Sequence, residues 1–218
     1  MTFALVTAHN AAYQPLADIT WEQNKRLYAE RHGYDAIALT AFNYPIKFSS
    51  FERTELVIDL LRSDKYEWIH ACGCDTMITN FNIKLEDLID NEYDFIIATD
   101  CFNINNDSFL ARATPTTIEW LKHVVDVREQ YADAKWLDQS AMIDSIEMMS
   151  TKIKIVPQRF LNSYNYDLYP GSDPHIYKKD LLGNDGQWAP GDFLIHWPGI
   201  SLYQRIQLAN STLPQVIK

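Results

Sequence analysis

Short apolar runs alternate with amphipathic stretches along this chain. Phe3 to Thr7 has the length and composition of a buried strand, and Pro15 to Arg31 predicts a helix that stops at Gly33, a residue free to enter the left-handed region. Tyr34 to Leu39 predicts a second strand. Ser50 is placed to cap a helix running to Leu61, whose Leu56, Val57, Leu60 and Leu61 share one face. Tyr66 to Ala71 and Asp94 to Ala98 predict the third and fourth strands.

The second half is less regular. Ser108 to Arg112 predicts a strand, and Thr116 to Gln130 a helix with Ile118, Leu121 and Val125 turned inward. Asp138 to Met149 predicts another, with Met142, Ile146 and Met149 inward, and Lys152 to Val156 and Phe193 to Ile195 predict strands. Between these last two, Asn162 to Pro190 is an aromatic-rich loop too long for a plain connector, a length usual for lids and binding segments. The alternation of strand and helix predicts an α/β fold of Rossmann-like type: one domain over 1–218, with a mixed, mainly parallel sheet flanked by helices.

Composition narrows the function. The 218 residues are 47% hydrophobic and 22% charged, so one sizeable core is expected and disorder is not. With 19 Lys plus Arg against 29 Asp plus Glu, the formal charge of −10 argues against a protein that grips nucleic acid. No stretch is long and apolar enough to span a membrane, and MTFALVTAHN lacks a basic leader, so a cytoplasmic protein is expected. Cys72, Cys74 and Cys101 have no disulfide spacing, and Cys72-Gly73-Cys74 lacks the second pair a zinc site needs.

Ligands of open α/β sheets bind beyond the carboxyl ends of the strands, which directs attention to His9 to Tyr13 and Cys72 to Asn80. Neither a G-x-G-x-x-G loop nor a P-loop is present, so the phosphate cradles of dinucleotide redox enzymes and nucleotide triphosphatases are missing. The third strand runs instead into WIHACGCDTMITN, where Asp75 is a metal or catalytic carboxylate or only a turn residue.

YEWIHACGCDTMITNFNIKLEDLI resembles the segment of GT-A glycosyltransferases in which a strand ends in an Asp-x-Asp signature. The likeness is greatest to the retaining galactosyl-, mannosyl- and xylosyltransferases of the yeast Gma12/Mnn10 and plant xyloglucan xylosyltransferase type. LVTAHN, RHGYD, DCFNINNDSFLAR, WLDQSAMID, VPQRFLNSY and GDFLIHWPG agree in the same order, over roughly residues 3 to 200. The resemblance implies transfer of a hexose or pentose from a nucleotide diphosphate sugar, UDP-linked, to a carbohydrate or glycan acceptor, with retention and with a divalent cation such as Mn2+. Asp75 matches the second Asp of the signature, and His196 of GDFLIHWPG matches a His that also reaches the metal. Where the family has its first Asp this chain has Gly73, so a weaker cation site is expected, and Gly73→Asp is expected to tighten it.

The same resemblance puts Asp138 and Gln139 beside the reacting carbon, as nucleophile or oxocarbenium stabiliser; the plainer role of Asp138 is a helix cap. Asn105 suits sugar hydroxyls, because an amide both donates and accepts. Thr7, Ala8 and His9 correspond to the nucleotide-base loop, and Arg53, Cys74, Asp100 and Asp192 are further candidates for nucleotide or sugar contact. Tyr164, Trp188 and Trp197 could form an acceptor platform. Two other readings stay open: a nucleotide-sugar-binding module that has lost turnover, which Gly73 motivates, and an inverting enzyme with Asp138, Asp100 or Asp192 as general base.

Overall fold

The computed structural model describes residues 1–149, 151–169 and 178–218. Its strands are β1 (Phe3–Ala8), β2 (Asp35–Leu39), β3 (Trp68–Cys72), β4 (Thr76–Ile78), β5 (Phe95–Thr99), β6 (Ile104–Arg112), β7 (Ile153–Val156), β8 (Ser163–Tyr164) and β9 (Leu194–His196). Its helices are α1 (Gln14–Ala17), α2 (Arg26–His32), α3 (Ser49–Arg62), α4 (Pro115–Asp126), α5 (Leu137–Asp144), α6 (Gln158–Leu161) and α7 (Leu202–Thr212).

The main sheet has the order β2-β1-β3-β6-β5-β7. Every pair is parallel except those of β6, which runs antiparallel between β3 and β5. Successive side chains of a strand point to opposite faces, and the two faces carry separate cores. Leu5, Trp68, Ile96 and Leu110 pack on one side, and Val6, Ile69, Phe95, Ile97 and Phe109 on the other. On the second face Trp120 of α4 is fully buried and its Nε1 donates to Ser145 Oγ at 3.0 Å. Truncating a Trp in such a place costs about 3–5 kcal/mol.

A smaller sheet, β4-β9-β8, lies beyond the end of β3. Thr76 pairs with His196 and Tyr164 with the same His196, so the small sheet sets the residue after Asp75 directly against His196. The predicted first helix is continuous from α1 to α2 through a π-helical stretch, Asp18–Lys25, and ends on Gly33 at φ 72° as its sequence requires.

Two local expectations are corrected. Ser50 lies inside α3, which starts at Ser49 after Phe48, and no side chain caps it. Asp138 is not an N-cap either: Trp136 holds that place and Asp138 is the second residue of α5. The segment Asn162 to Pro190 contains the short β8 and the close of a polar network. Its residues 170–177 lie outside the described residues. No helix among the described residues is long and apolar enough to cross a membrane.

Candidate active site

The turn that follows β3 is fixed from behind by the π-helical stretch. Wider winding brings Thr20, Asn24 and Lys25, all fully buried, onto one side of it. Thr20 Oγ1 donates to Cys74 O at 2.7 Å, Asn24 exchanges two 2.9 Å bonds with Ile78, and Lys25 Nζ donates to Gly73 O at 2.6 Å. Trp197 N donates to Asp75 O at 3.1 Å, joining the turn to the end of β9. The backbone of Asp75 is therefore held from two sides, and little rearrangement is left for a ligand to impose.

Three acidic or imidazole groups meet at this point: Asp75, Asp107 of β6 and His196 of β9, whose ligand atoms lie within 4.8 Å of one another. His196 is fully buried, and its Nδ1 lies 2.8 Å from Asn162 Oδ1, which can only accept. The Nδ1 proton is thereby assigned, and Nε2 turns toward Asp107 Oδ2 at 3.4 Å and Asp75 Oδ2 at 3.6 Å without a hydrogen-bond partner. A buried imidazole nitrogen facing two carboxylates needs a cation between them, a proton or a metal ion. The gaps exceed good hydrogen bonds, and two atoms that each bind one small cation at about 2.1 Å stand roughly 3 Å apart. Asn162 supplies the outer partner that orients a metal-binding His. The residues fit a divalent cation.

Two Arg residues flank the cluster. Arg205 of α7 reaches Asp75 Oδ2 at 2.9 Å while donating to Trp197 O and Tyr13 Oη. Arg53 of α3 is buried and donates to Asn106 O at 2.9 Å and to Asp107 Oδ1 at 3.2 Å. It is not an ordinary surface Arg. Burial pushes the Asp75 carboxyl up, but His196 when charged and the permanent charge of Arg205 outweigh it and hold Asp75 well below the usual carboxylate range. The Cys74 thiol is pushed by burial up to about 11, and Cys72 is raised as well, so neither is poised as a thiolate ligand.

The cluster stands where two chambers join. The first, about 490 Å3, is walled by the loop after β1 (Ala8, His9, Asn10 and Tyr13), the start of α3 with Arg53, the Gly73 to Asp75 turn, and Trp136 to Gln139. The second, about 460 Å3, is walled by Asp100, Phe102, Asn105, Lys135 and the tyrosines Tyr164, Tyr166 and Tyr169. Asp75, Asp107, Trp136, Gln139 and Arg205 line both.

Most of the candidate residues fall on these walls. Ala8, His9, Arg53, Cys74, Asp75, Asp138 and Gln139 line the first chamber, and Asp100, Asn105 and Tyr164 the second. Asp138 accepts from Asn106 Nδ2 at 2.8 Å, and Gln139 Oε1 accepts from Asn106 N at 3.2 Å. Burial raises the Asp138 carboxyl above its ordinary range, against the pull of Arg53. Asn105 Nδ2 donates to Tyr164 Oη at 2.9 Å and to Asp100 Oδ2 at 3.2 Å.

Besides His196, which is fully buried and lines neither chamber, four candidates lie elsewhere. Thr7 is fully buried, with Oγ1 donating to Cys72 O at 2.9 Å, a strand-to-strand tie and not part of either wall. Asp192 binds Arg159 through both its oxygens, at 3.0 and 2.7 Å, and lines neither chamber. Trp197 is core, and Trp188 Nε1 donates to Thr79 Oγ1, so of the proposed aromatic platform only Tyr164 faces a chamber. Conversely, Asn106, Asp107 and Arg205 are site residues that local pattern does not reveal. Arg205 had one available signal: Ser201 and Gln204 form a capping box that opens α7.

The family model of the galactosyl transferase GMA12/MNN10 family matches residues 5–93. No curated protein matches the sequence. Among solved structures, a glycosyltransferase involved in glycosylation of the major capsid of PBCV-1 superposes with a TM-score of 0.76 at 13% identity, covering 97% of this chain and 100% of that one. The glycosyltransferase GlyE of Streptococcus pneumoniae TIGR4 gives 0.60 at 16% identity, over 98% of this chain but 63% of its own. The galactosyltransferase LgtC, solved with donor and acceptor sugar analogues, gives 0.55 at 13% identity over 95% of each chain. The fold is the GT-A fold of these glycosyltransferases, and residues 5–93 are similar to the galactosyl transferase GMA12/MNN10 family.

Proposed function

We propose that the chain moves a hexosyl or pentosyl group from a UDP-linked donor in the first chamber to a sugar hydroxyl in the second, with retention of anomeric configuration. The observation that carries this reading is the shared wall: both chambers open onto Asp75, Asp107 and Gln139, beside an orphaned buried imidazole nitrogen. Asp75 and His196 would hold a divalent cation such as Mn2+, and the chemistry it supplies when bound is stabilisation of charge on the departing diphosphate.

The chain's own groups do the rest. Ala8 and His9 form the wall nearest a base, and His9 Nδ1 is buried without a partner. Arg53 and Arg205 bring fixed positive charge to opposite sides of the cleft. Gln139, anchored to Asn106, stands at the junction where the sugar carbon must pass. Tyr164, Asn105 and Asp100 shape the acceptor side through one connected network.

The fate of the three carboxylates offered as general bases supports retention. Asp100 Oδ1 accepts from Phe102 N and Asn103 N and its Oδ2 from Tyr164 and Asn105, so it is fully engaged. Asp138 is on the donor side, and Asp192 is outside the cleft. An inverting enzyme needs a carboxylate free on the acceptor side, and the other two acids that line it, Asp75 and Asp107, belong to the cation cluster.

UDP-sugars titrated with and without Mn2+, with release of UDP and transfer to an acceptor panel as readouts, test the enzyme reading. Binding without turnover would leave a binding module. NMR of the product reports the anomeric configuration, and inversion would refute the stereochemical part alone.

A further inference from the structure

Gly73 and Asp107 are directly opposed across two antiparallel strands. The β3–β6 register pairs Cys72 with Ser108, and the next step is a 2.7 Å bond from Gly73 N to Asp107 O. Side chains opposed in this way share one volume, with Cβ atoms roughly 5 Å apart. Here the volume is already taken: a Cβ placed on Gly73 would lie 2.9 Å from Asp107 Oδ1 and 2.8 Å from Asp75 Oδ1. Asp107 Oδ1 is held by Arg53 while Oδ2 faces the unpartnered Nε2 of the fully buried His196.

We propose that Asp107 is the carboxylate that completes the cation site in place of the side chain Gly73 lacks, so that the acidic pair is made across two strands and not along one. This rests on the reading of Asp75 and His196 as cation ligands. It reverses the expectation that Gly73→Asp strengthens the site: the added carboxylate enters a space Asp107 fills, and three acids then crowd one point.

Mn2+ binding, followed as loss of the free-ion EPR signal with and without UDP, tests it independently of turnover. Asp107→Asn keeps the shape and an acceptor for Arg53 but removes the charge, and should weaken Mn2+ by about 10- to 100-fold. Gly73→Asp alone should bind no tighter than the parent chain. The exchange Gly73→Asp with Asp107→Gly should return the affinity to within about threefold of the parent, a difference below 1 kcal/mol. Asp107→Asn binding like the parent, or the exchange binding no better than Asp107→Gly, would overturn the assignment while leaving Asp75 and His196 as the site. A parent chain that takes up no Mn2+ under either condition would overturn the cation reading itself. Thermal melts accompany each variant, and if Asp107→Gly does not fold, Asp107→Asn decides.

Discussion

The two chambers are built by different means. The first is assembled from strand ends and helix starts that the main sheet fixes, and to the charged groups both chambers share, Asp75, Asp107 and Arg205, it adds Arg53 and Asp138. The second draws on later tyrosines outside the main sheet whose hydroxyls are each tied down, Tyr164 of β8 to Asp100 at 2.8 Å and Tyr166 to Gln158 at 2.8 Å. Charge set on a rigid frame suits a diphosphate, a group common to many donors. Aromatic faces and hydroxyl networks suit a particular sugar surface. On the proposed reading, the generic half of the reaction would sit on the main sheet and the specific half on the segments outside it.

The largest test removes the junction itself. Asp75→Ala should cost about 100- to 1000-fold in transfer and also lower the melting temperature near neutrality, because Arg205 loses its partner and the stability of the depressed carboxylate, present above the ordinary carboxylate range, goes with it. Activity near the parent level would separate the chambers from the chemistry. A smaller test acts on one side only. Tyr164→Phe deletes a hydroxyl bonded to Asp100 and approached by the amides of Asn105 and Asn162. It should raise the acceptor KM and cost about 1–3 kcal/mol of stability, with UDP affinity unchanged. Equal losses on both substrates would mean that the chambers are not independent.

Asp138 gives a test in pH. Its carboxyl is raised by burial, so its folded pKa lies above the unfolded one and the stability it contributes is present at low pH and lost as pH rises through the folded value. Asp138→Asn should therefore melt higher than the parent near neutrality, and the gap should close as the pH falls below the ordinary carboxylate range. A constant gap would assign the difference to packing. The smallest effect on transfer is expected from Asp192→Asn, which loosens the Arg159 pair outside both chambers. Its melting point should drop while kcat and both KM values hold.

Much of the frame is legible in the chain. β1, β2, β3, β5 and β7 lie within a residue or two of where apolar runs place them, and so do the helix stop at Gly33 and the α3 face. Of the site, Asp75, Gln139 and Asp138 stand on the chamber wall because each immediately follows or begins an element whose end is visible locally. Asp107 is different. In sequence it stands just ahead of the predicted strand Ser108 to Arg112, and only its pairing with β3 brings it to the cluster. Pairing partners are not encoded in local period, and an antiparallel strand slotted into a parallel sheet leaves no trace in the pattern of apolar residues. Arg205 escapes for a similar reason: nothing in the α7 sequence states that it returns to the loop after β1 and to Asp75.

The opposition of Gly73 and Asp107 also constrains how such a chain could arise. Moving an acid from one strand to its neighbour takes two substitutions, and the step between leaves either three carboxylates pressed together or one too few. Both intermediates are penalised, so relatives should carry an acid at one of the two positions and a small residue at the other, with mixed states rare. Were Asp107 the stand-in proposed above, the two positions would be inherited as a single character.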